Sequence, residues 1–514
     1  MKKIWYGGDI ITMNDAQSPY VEAVLEDGGK IVATGSLDEL KKKGPDAKLI
    51  DLCGKTMMPG FIDAHSHITQ ATQYFWAADL SECTSFEEIK QVICSYINAN
   101  DITKDGFVFA IGYDPDLLEE KSHPTRAVLD EISTEIPIFA AHVSLHMGVA
   151  NSAAMAAASI TDNESGFIAE DGLWGILGTL YPKIKRDYMG DIKKIQNLYA
   201  SYGITTVQDG ASSEADFELL RKAGDEGILY LDVVSYLVIG NTTPEYIKKN
   251  CDYDGKYKNH LKIGGYKAVL DGSPQGKTAW LTQPYLTANG SCGVPWHTDE
   301  EVCSYIRQAI NDNRQIIIHC NGDAASDQMI NSAQLAEEKP GSLAVLRPVM
   351  IHSQTVREDQ LDKMSELGIM PSFFVGHVYY WGDVHVKNLG EQRGTRVSPV
   401  ASALKRGMRF TFHQDTPVTK PDMLHSVWCA VCRRTRSGRQ IGPQFAVSVY
   451  DALRAITIDA AYQYFEENEK GSIAAGKEAD FVILSGNPLK TAPEEIKNIT
   501  VLETVKNGKV IYKV

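Results

Sequence analysis

The sequence predicts an α/β protein of the (β/α)8 TIM-type barrel class, with a small β-sandwich domain built from both termini and a large insertion after the first barrel strand. Three observations predict it. Short apolar runs alternate with helix-length segments through the middle of the chain, the pattern of parallel strands joined by helical crossovers. Eight such runs can be counted, and several end in His, Lys or Asp. Both ends of the chain instead carry β-type runs broken by Gly, Asp and Asn turns. The 514 residues suffice for one large barrel and a smaller module.

In chain order, residues 1–55 read as short strands, with Asp27-Gly28-Gly29 turning into the β-like Ile31-Val32-Ala33. The first barrel strand is Phe61-Ile62-Asp63-Ala64-His65-Ser66-His67. Alternate strand residues share a face, so His65 and His67 can aim at one point. That suits a metal ion, because neutral imidazole is a common metal ligand. A lone His-x-His also arises by chance, and the rest of the sequence must decide. The connection from about 70 to 200 is too long for an ordinary barrel loop. It contains helix-like pieces and a Pro-containing stretch, and reads as an insertion covering the barrel mouth, where substrate selectivity would sit. Further strands are expected at 204–208, 231–237, 266–270, 315–319, 349–352, 369–375 and 409–412. The C-terminal segment repeats the N-terminal style, ending in β-type runs around an Asn507-Gly508 turn, a strong hairpin signal. The expected domains are 1–55 with 470–514 as a composite β domain, and 56–469 as the barrel with its insertion.

Composition excludes several classes. The net charge of -15, from 51 basic and 66 acidic side chains, argues against nucleic acid and anionic membranes as partners. The N-terminal segment passes straight into strand-like sequence without an apolar signal core, and apolar runs are too short to cross a bilayer, so a cytoplasmic location is expected. Nine scattered cysteines in a chain of this size point to reduced thiols.

An eight-stranded barrel places its chemistry at the carboxyl ends of its strands. There stand His65 and His67 on the first strand, Lys267 on the fourth, His319 on the fifth, His352 on the sixth and Asp415 after the eighth. Each can bind a metal or move a proton, and so many coincident positions are far more specific than the His65/His67 pair alone. The bland alternative for Lys267 is a structural lysine paired with Asp271, which would leave a single-metal site.

On Pro59 to His67, Lys267 with Asp271-Gly272-Ser273, His319 with Gly322-Asp323, Ile351-His352-Ser353-Gln354, Asp415-Thr416-Pro417-Val418 and the closing Gly471-Ser472-Ile473 to Ala479-Asp480, the chain resembles the amidohydrolase superfamily. The match extends over nearly the whole chain and is to the amidohydrolase-3 group, which includes N-substituted formamide deformylases. The resemblance implies two divalent ions, zinc first, with manganese, iron or nickel as alternatives. It assigns His65, His67 and Asp415 to one ion and His319 and His352 to the other. Lys267, carboxylated by carbon dioxide to an anionic carbamate, would bridge them with a water. It further implies hydrolysis of a non-peptide C–N bond in a small-molecule amide, formamide or cyclic amide, with Asp415 as proton shuttle. The oligomeric state stays open, a homodimer being frequent among superfamily members.

The chain departs from the group around the substrate. It has His413-Gln414-Asp415 where many relatives have Ser before the aspartate, and His377 to His385 where many have a shorter Gln-Pro motif. His377, Trp381 and His385 are candidate substrate contacts, against the commoner role of loop aromatics as core. His146 resembles the group's pocket histidine, and His413 is expected behind the ligands because it shares the facing of Asp415. Cys429 and Cys432 read as packed thiols, and Arg433 to Arg439 as a solvated loop or interface rather than an anion site.

Two other readings compete. A mononuclear aminohydrolase deaminating a heterocycle would be expected to carry a glutamate soon after the fifth-strand histidine, but after His319 the next glutamate is Glu337. A catalytically silent ligand-binding or regulatory barrel is opposed by the complete ligand set.

Overall fold

Eight parallel strands follow one another in chain order through the core of the structure, a computed structural model that describes residues 2–161, 163–169, 171–242, 244–337 and 339–514. They are Phe61–Ile62, Ile204–Ser212, Asp232–Val238, Leu261–Val269, Gln315–Cys320, Val349–His352, Met370–Phe373 and Thr411–Phe412. Each is hydrogen-bonded to its predecessor. The two ends meet in backbone hydrogen bonds: Asp415 N–H donates to the His65 carbonyl (3.2 Å) and His67 N–H to the Thr416 carbonyl (2.8 Å). These bonds curl the sheet into a TIM-type barrel and bring the first and last strand ends together.

The strands are almost continuously apolar because parallel strands in such a barrel are covered on both faces. All six residues of Gln315–Cys320 are buried. Ile62, Val234, Ile317, Val349 and Ile351 share one core cluster, each stabilising the fold by about 1.5–3 kcal/mol through burial. The helices between strands carry their own start signals. Thr298 caps Asp299–Asn311 in a reciprocal box with Glu301, and Ser213 does the same for Glu214–Asp225 with Asp216.

Strands from both termini form one mixed eight-stranded sheet. Thr56–Pro59 pairs antiparallel with Phe481–Leu484 and parallel with Lys3–Ile11. Asn507 and Gly508, both at positive φ, turn Val501–Lys506 into Lys509–Lys513. A buried charge network joins this sheet to the barrel: Asp232 accepts from Lys470 (2.5 Å) and Lys506 (2.6 Å), and Lys506 also reaches Asp480 (2.7 Å). These elements make up one compact unit, Met1–Thr69 with Ile192–Val514.

The second compact unit is Gln70–Asp191. Helical pieces expected there are present, but its centre is a five-stranded sheet that sequence reading missed. Its strands Val108–Tyr113 and Ile138–His142 are buried along nearly their whole length. They therefore lack the alternation that marks a half-exposed strand. Among the described residues no helix is long and apolar enough to cross a membrane, and all nine cysteines are free.

Candidate metal centre

The first strand is paired only at Phe61–Ile62, shorter than the expected run to His67, and the turn that follows it presents two imidazoles, while the loop after the last strand presents a carboxylate. Asp415 Oδ1 lies 3.2 Å from His67 Nε2 and 3.5 Å from His65 Nε2. One ligand atom from each of the three falls within 4.8 Å of the others. Ligand bonds of about 2.0–2.2 Å in a tetrahedron separate neighbouring donors by about 3.4 Å, so these three atoms fit one small divalent ion. Asp415 Oδ1 is also buried without an aligned hydrogen-bond donor, an arrangement that a cation would relieve.

His65 is held from behind. Its Nδ1 lies 2.5 Å from Gln208 Oε1, while Gln208 Nε2 donates to the Ala64 carbonyl (2.9 Å) and to the Tyr464 hydroxyl (3.0 Å). The amide oxygen can only accept, so His65 carries its proton on Nδ1 and turns a bare Nε2 toward Asp415.

Four more residues form a chain beside this triad. His319 Nε2 is 3.2 Å from the Gly272 carbonyl, and its Nδ1 is 3.0 Å from His352 Nε2. His352 Nδ1 meets His413 Nε2 at 3.1 Å, and His413 Nδ1 meets Ser372 Oγ at 2.8 Å. His319 Nε2 is met both by that carbonyl, which accepts, and by the Asn321 amide N–H at 3.0 Å, which donates, so either tautomer of His319 is accommodated. The Ser372 hydroxyl donates or accepts, so the chain tolerates either tautomer of His352. His352 Nε2 stands 4.0 Å from Asp415 Oδ2, which sets the two histidines beside the triad.

Lys267 projects among these groups, its Nζ 3.3 Å from His65 Nε2. Burial lowers its pKa to about 8, against the opposing pull of Asp415. The Asp271 carboxylate receives backbone N–H groups of Trp280 (2.9 Å), Asn321 (3.0 Å) and Gly322 (2.7 Å), so it serves chiefly to fold the loops around the fourth and fifth strand ends.

Electrostatics favour the metal-binding forms. Burial keeps His65 and His352 well below the ordinary imidazole range, so both are neutral. His352 (φ 74°) and Asp415 (φ 54°) both adopt the left-handed backbone region, sparsely populated by side-chain-bearing residues and frequent at functional sites.

The remaining candidates are distributed unevenly. His377 and Trp381 follow the seventh strand, their rings 4.6 Å apart, and His377 Nδ1 is 3.0 Å from His385 Nε2. His413 touches His352, one step behind the candidate ligands. His146 belongs to the second unit, where its N–H donates to Ser144 Oγ (3.3 Å). Cys429 packs against His425 at 3.6 Å on a buried helix face. Arg433 is buried and donates to the carbonyls of Val397 (2.7 Å) and Ser398 (3.0 Å), so it clamps loops instead of lying in solvent. Sequence reading missed Gln208 and Ser372. Both lie on barrel strands at inward positions, where a polar side chain among apolar ones was the available signal.

Comparison with known proteins bears on the whole chain. Residues 48–512 match the model of the amidohydrolase family. N-substituted formamide deformylase of Arthrobacter pascens is 27% identical over 536 residues, covering 97% of this chain and 96% of that protein. The protein LONG AFTER FAR-RED 3 of Arabidopsis thaliana is 25% identical over 542 residues, covering 98% and 90%. Among solved structures, an uncharacterized metal-dependent hydrolase from Pyrococcus horikoshii OT3 has a TM-score of 0.77 at 25% identity, covering 96% of this chain and 99% of that one.

Proposed function

The chain belongs to the amidohydrolase family, and on that premise we propose that it is a metal-dependent hydrolase of a non-peptide carbon–nitrogen bond in a small amide, formamide or cyclic amide. The observation that carries the reading is the convergence of His65, His67 and Asp415 within 4.8 Å beside the His319–His352 pair. Support also comes from the deformylase and metal-dependent hydrolase names of the relatives.

In this reading His65, His67 and Asp415 hold one divalent ion and His319 and His352 a second, zinc being the first choice. Bound metal supplies a Lewis acid that polarises a carbonyl and acidifies water. Lys267 would hold both ions once its neutral amine had attacked the carbon of carbon dioxide, forming an N–C bond and releasing one proton. The carbamate so formed is anionic and offers two oxygens where an ammonium offers none. Asp415 takes the proton of the attacking water as its oxygen bonds to the acyl carbon, then passes that proton to the leaving nitrogen as the C–N bond breaks. Gln208, His413 and Ser372 fix the ligand imidazoles from behind. In the same reading 1–55 with 470–514 form a composite small β domain.

A hydrolysis screen over N-formyl amines, N-acyl compounds, cyclic amides and aminated heterocycles, with metal content measured on the same sample, tests the reading. Release of a carboxylate together with an amine is expected. Ammonia release from a heterocycle without a carboxylate product replaces it with a deaminase.

A further inference from the structure

The segment after the seventh strand carries a second histidine pair that the ligand set does not use. His377 and His385 both lie beneath the surface, at 3% and 0% exposure. Their ring planes are within 5° and their centroids 5.2 Å apart, with Nδ1 of His377 3.0 Å from Nε2 of His385. That centroid separation is the length of the bond extended by a ring radius at each end. The rings therefore meet edge to edge in one plane, the geometry of an in-line N–H···N hydrogen bond.

The direction of that bond follows from what surrounds it. Among the described residues, His385 Nδ1 is buried and has no hydrogen-bond partner. A buried N–H without an acceptor is rarer and costlier than an unused lone pair. His385 therefore keeps its proton on Nε2 and donates it to His377 Nδ1. His377 in turn must carry its own proton on Nε2, at the ring edge opposite His385.

His377 also stands close to the ligands. Its ring packs on Phe374 at 4.7 Å, and Phe374 in turn lies 5.5 Å from His413 and 6.3 Å from His352. Asp415, His413 and His319 are all within electrostatic reach of it. The mount is rigid. His385 N–H bonds the Trp381 carbonyl (2.8 Å), Ser437 Oγ bonds Asp383 (3.0 Å), and the Arg436 guanidinium lies 5.1 Å from the Tyr380 ring centre.

We propose that His377 is a fixed Nε2–H donor to the acyl oxygen of the substrate, and that His385 is the positioning residue that sets its tautomer. The proposal rests on the hydrolase reading and narrows its substrate. A donor that cannot accept favours a carbonyl oxygen at that point and disfavours an amino group, so acylated amines and cyclic amides are selected over amino-heterocycles. The bond strengthens as the oxygen gains negative charge during attack, so its loss should fall on kcat more than on KM.

Two measurements test it. In metal-free wild-type protein with 15N-labelled histidine, long-range 1H–15N spectra should show His377 protonated at Nε2 and bare at Nδ1, its resonance assigned by its absence from His377→Gln. A proton on His377 Nδ1 overturns the proposal without reference to activity. In kinetics on an acylated amine that the wild type hydrolyses, His377→Phe should lower kcat about 100-fold at unchanged metal content. His377→Gln, which retains an N–H donor, should recover at least a tenth of wild-type kcat. A wild type that hydrolyses while His377→Phe matches its kcat overturns the proposal alone. A metal-loaded wild type that cleaves no acylated amine overturns the hydrolase reading and the proposal with it.

Discussion

Gln208 Oε1 sits 2.5 Å from His65 Nδ1, and with its amide N–H groups committed to Ala64 and Tyr464 it fixes which imidazole nitrogen faces Asp415. Outer hydrogen bonds of this kind typically contribute 10–100-fold to metal affinity. Gln208→Leu should therefore fold normally and bind the first ion roughly 10–100-fold more weakly, as measured by titration against a competing chelator.

His413 has the same relation to His352, a ligand of the proposed second ion. Its Nε2 is 3.1 Å from His352 Nδ1, and Ser372 holds its far nitrogen at 2.8 Å. His413→Ala should lower the affinity of the second position by roughly tenfold or more while leaving the first near wild type. Calorimetric titration should resolve two unequal sites in the variant.

Asp415 and Lys267 separate chemistry from assembly. Asp415→Asn preserves shape but removes the proton acceptor, so kcat should fall about 10²–10⁴-fold with at least one ion retained. Unchanged turnover would remove Asp415 from the proton path. Lys267→Ala should lose bound metal, and short carboxylates such as formate or acetate should restore part of it.

The charge network under the barrel predicts a pH-dependent stability. Burial penalises the Asp232 carboxylate, but Lys470, Lys506 and the hydrogen bond from His260 hold its pKa well below the unfolded value of about 3.9. A depressed carboxyl pKa stabilises the fold above the unfolded value, and that stabilisation is lost as pH falls through the folded value. Asp232→Asn leaves two buried ammonium groups short of a partner and should cost about 3–5 kcal/mol near neutral pH. Denaturation midpoints from pH 3 to pH 7 should rise less steeply with pH in the variant than in the wild type.

Much of the barrel was legible because buried parallel strands are short apolar runs, and Val349–His352 matches its expected bounds. The fourth strand was read too short. It begins at Leu261, five residues early, because Gly264-Gly265 imitates a turn. The glycines instead admit close neighbours: a Cβ on Gly264 would meet the Tyr236 ring at 2.7 Å, and one on Gly265 the Gln315 carbonyl at 2.1 Å. The candidate ligands were visible as polar strand ends. Their supports were not, because the Gln208–His65 and His413–His352 bonds join residues far apart in sequence, and alternation gives facing without giving partners. The sheet of the second unit was hidden by its own burial.

The most direct test is the metal-to-chain ratio of purified protein from metal-supplemented expression, read beside hydrolysis of acylated amines on the same sample. The arrangement of His65, His67, Lys267, His319, His352 and Asp415 predicts two tightly bound divalent ions per chain and turnover that disappears when they are stripped and returns when they are restored. Fewer than about one ion per chain, with no turnover after metal is added back, would contradict it and leave a silent barrel.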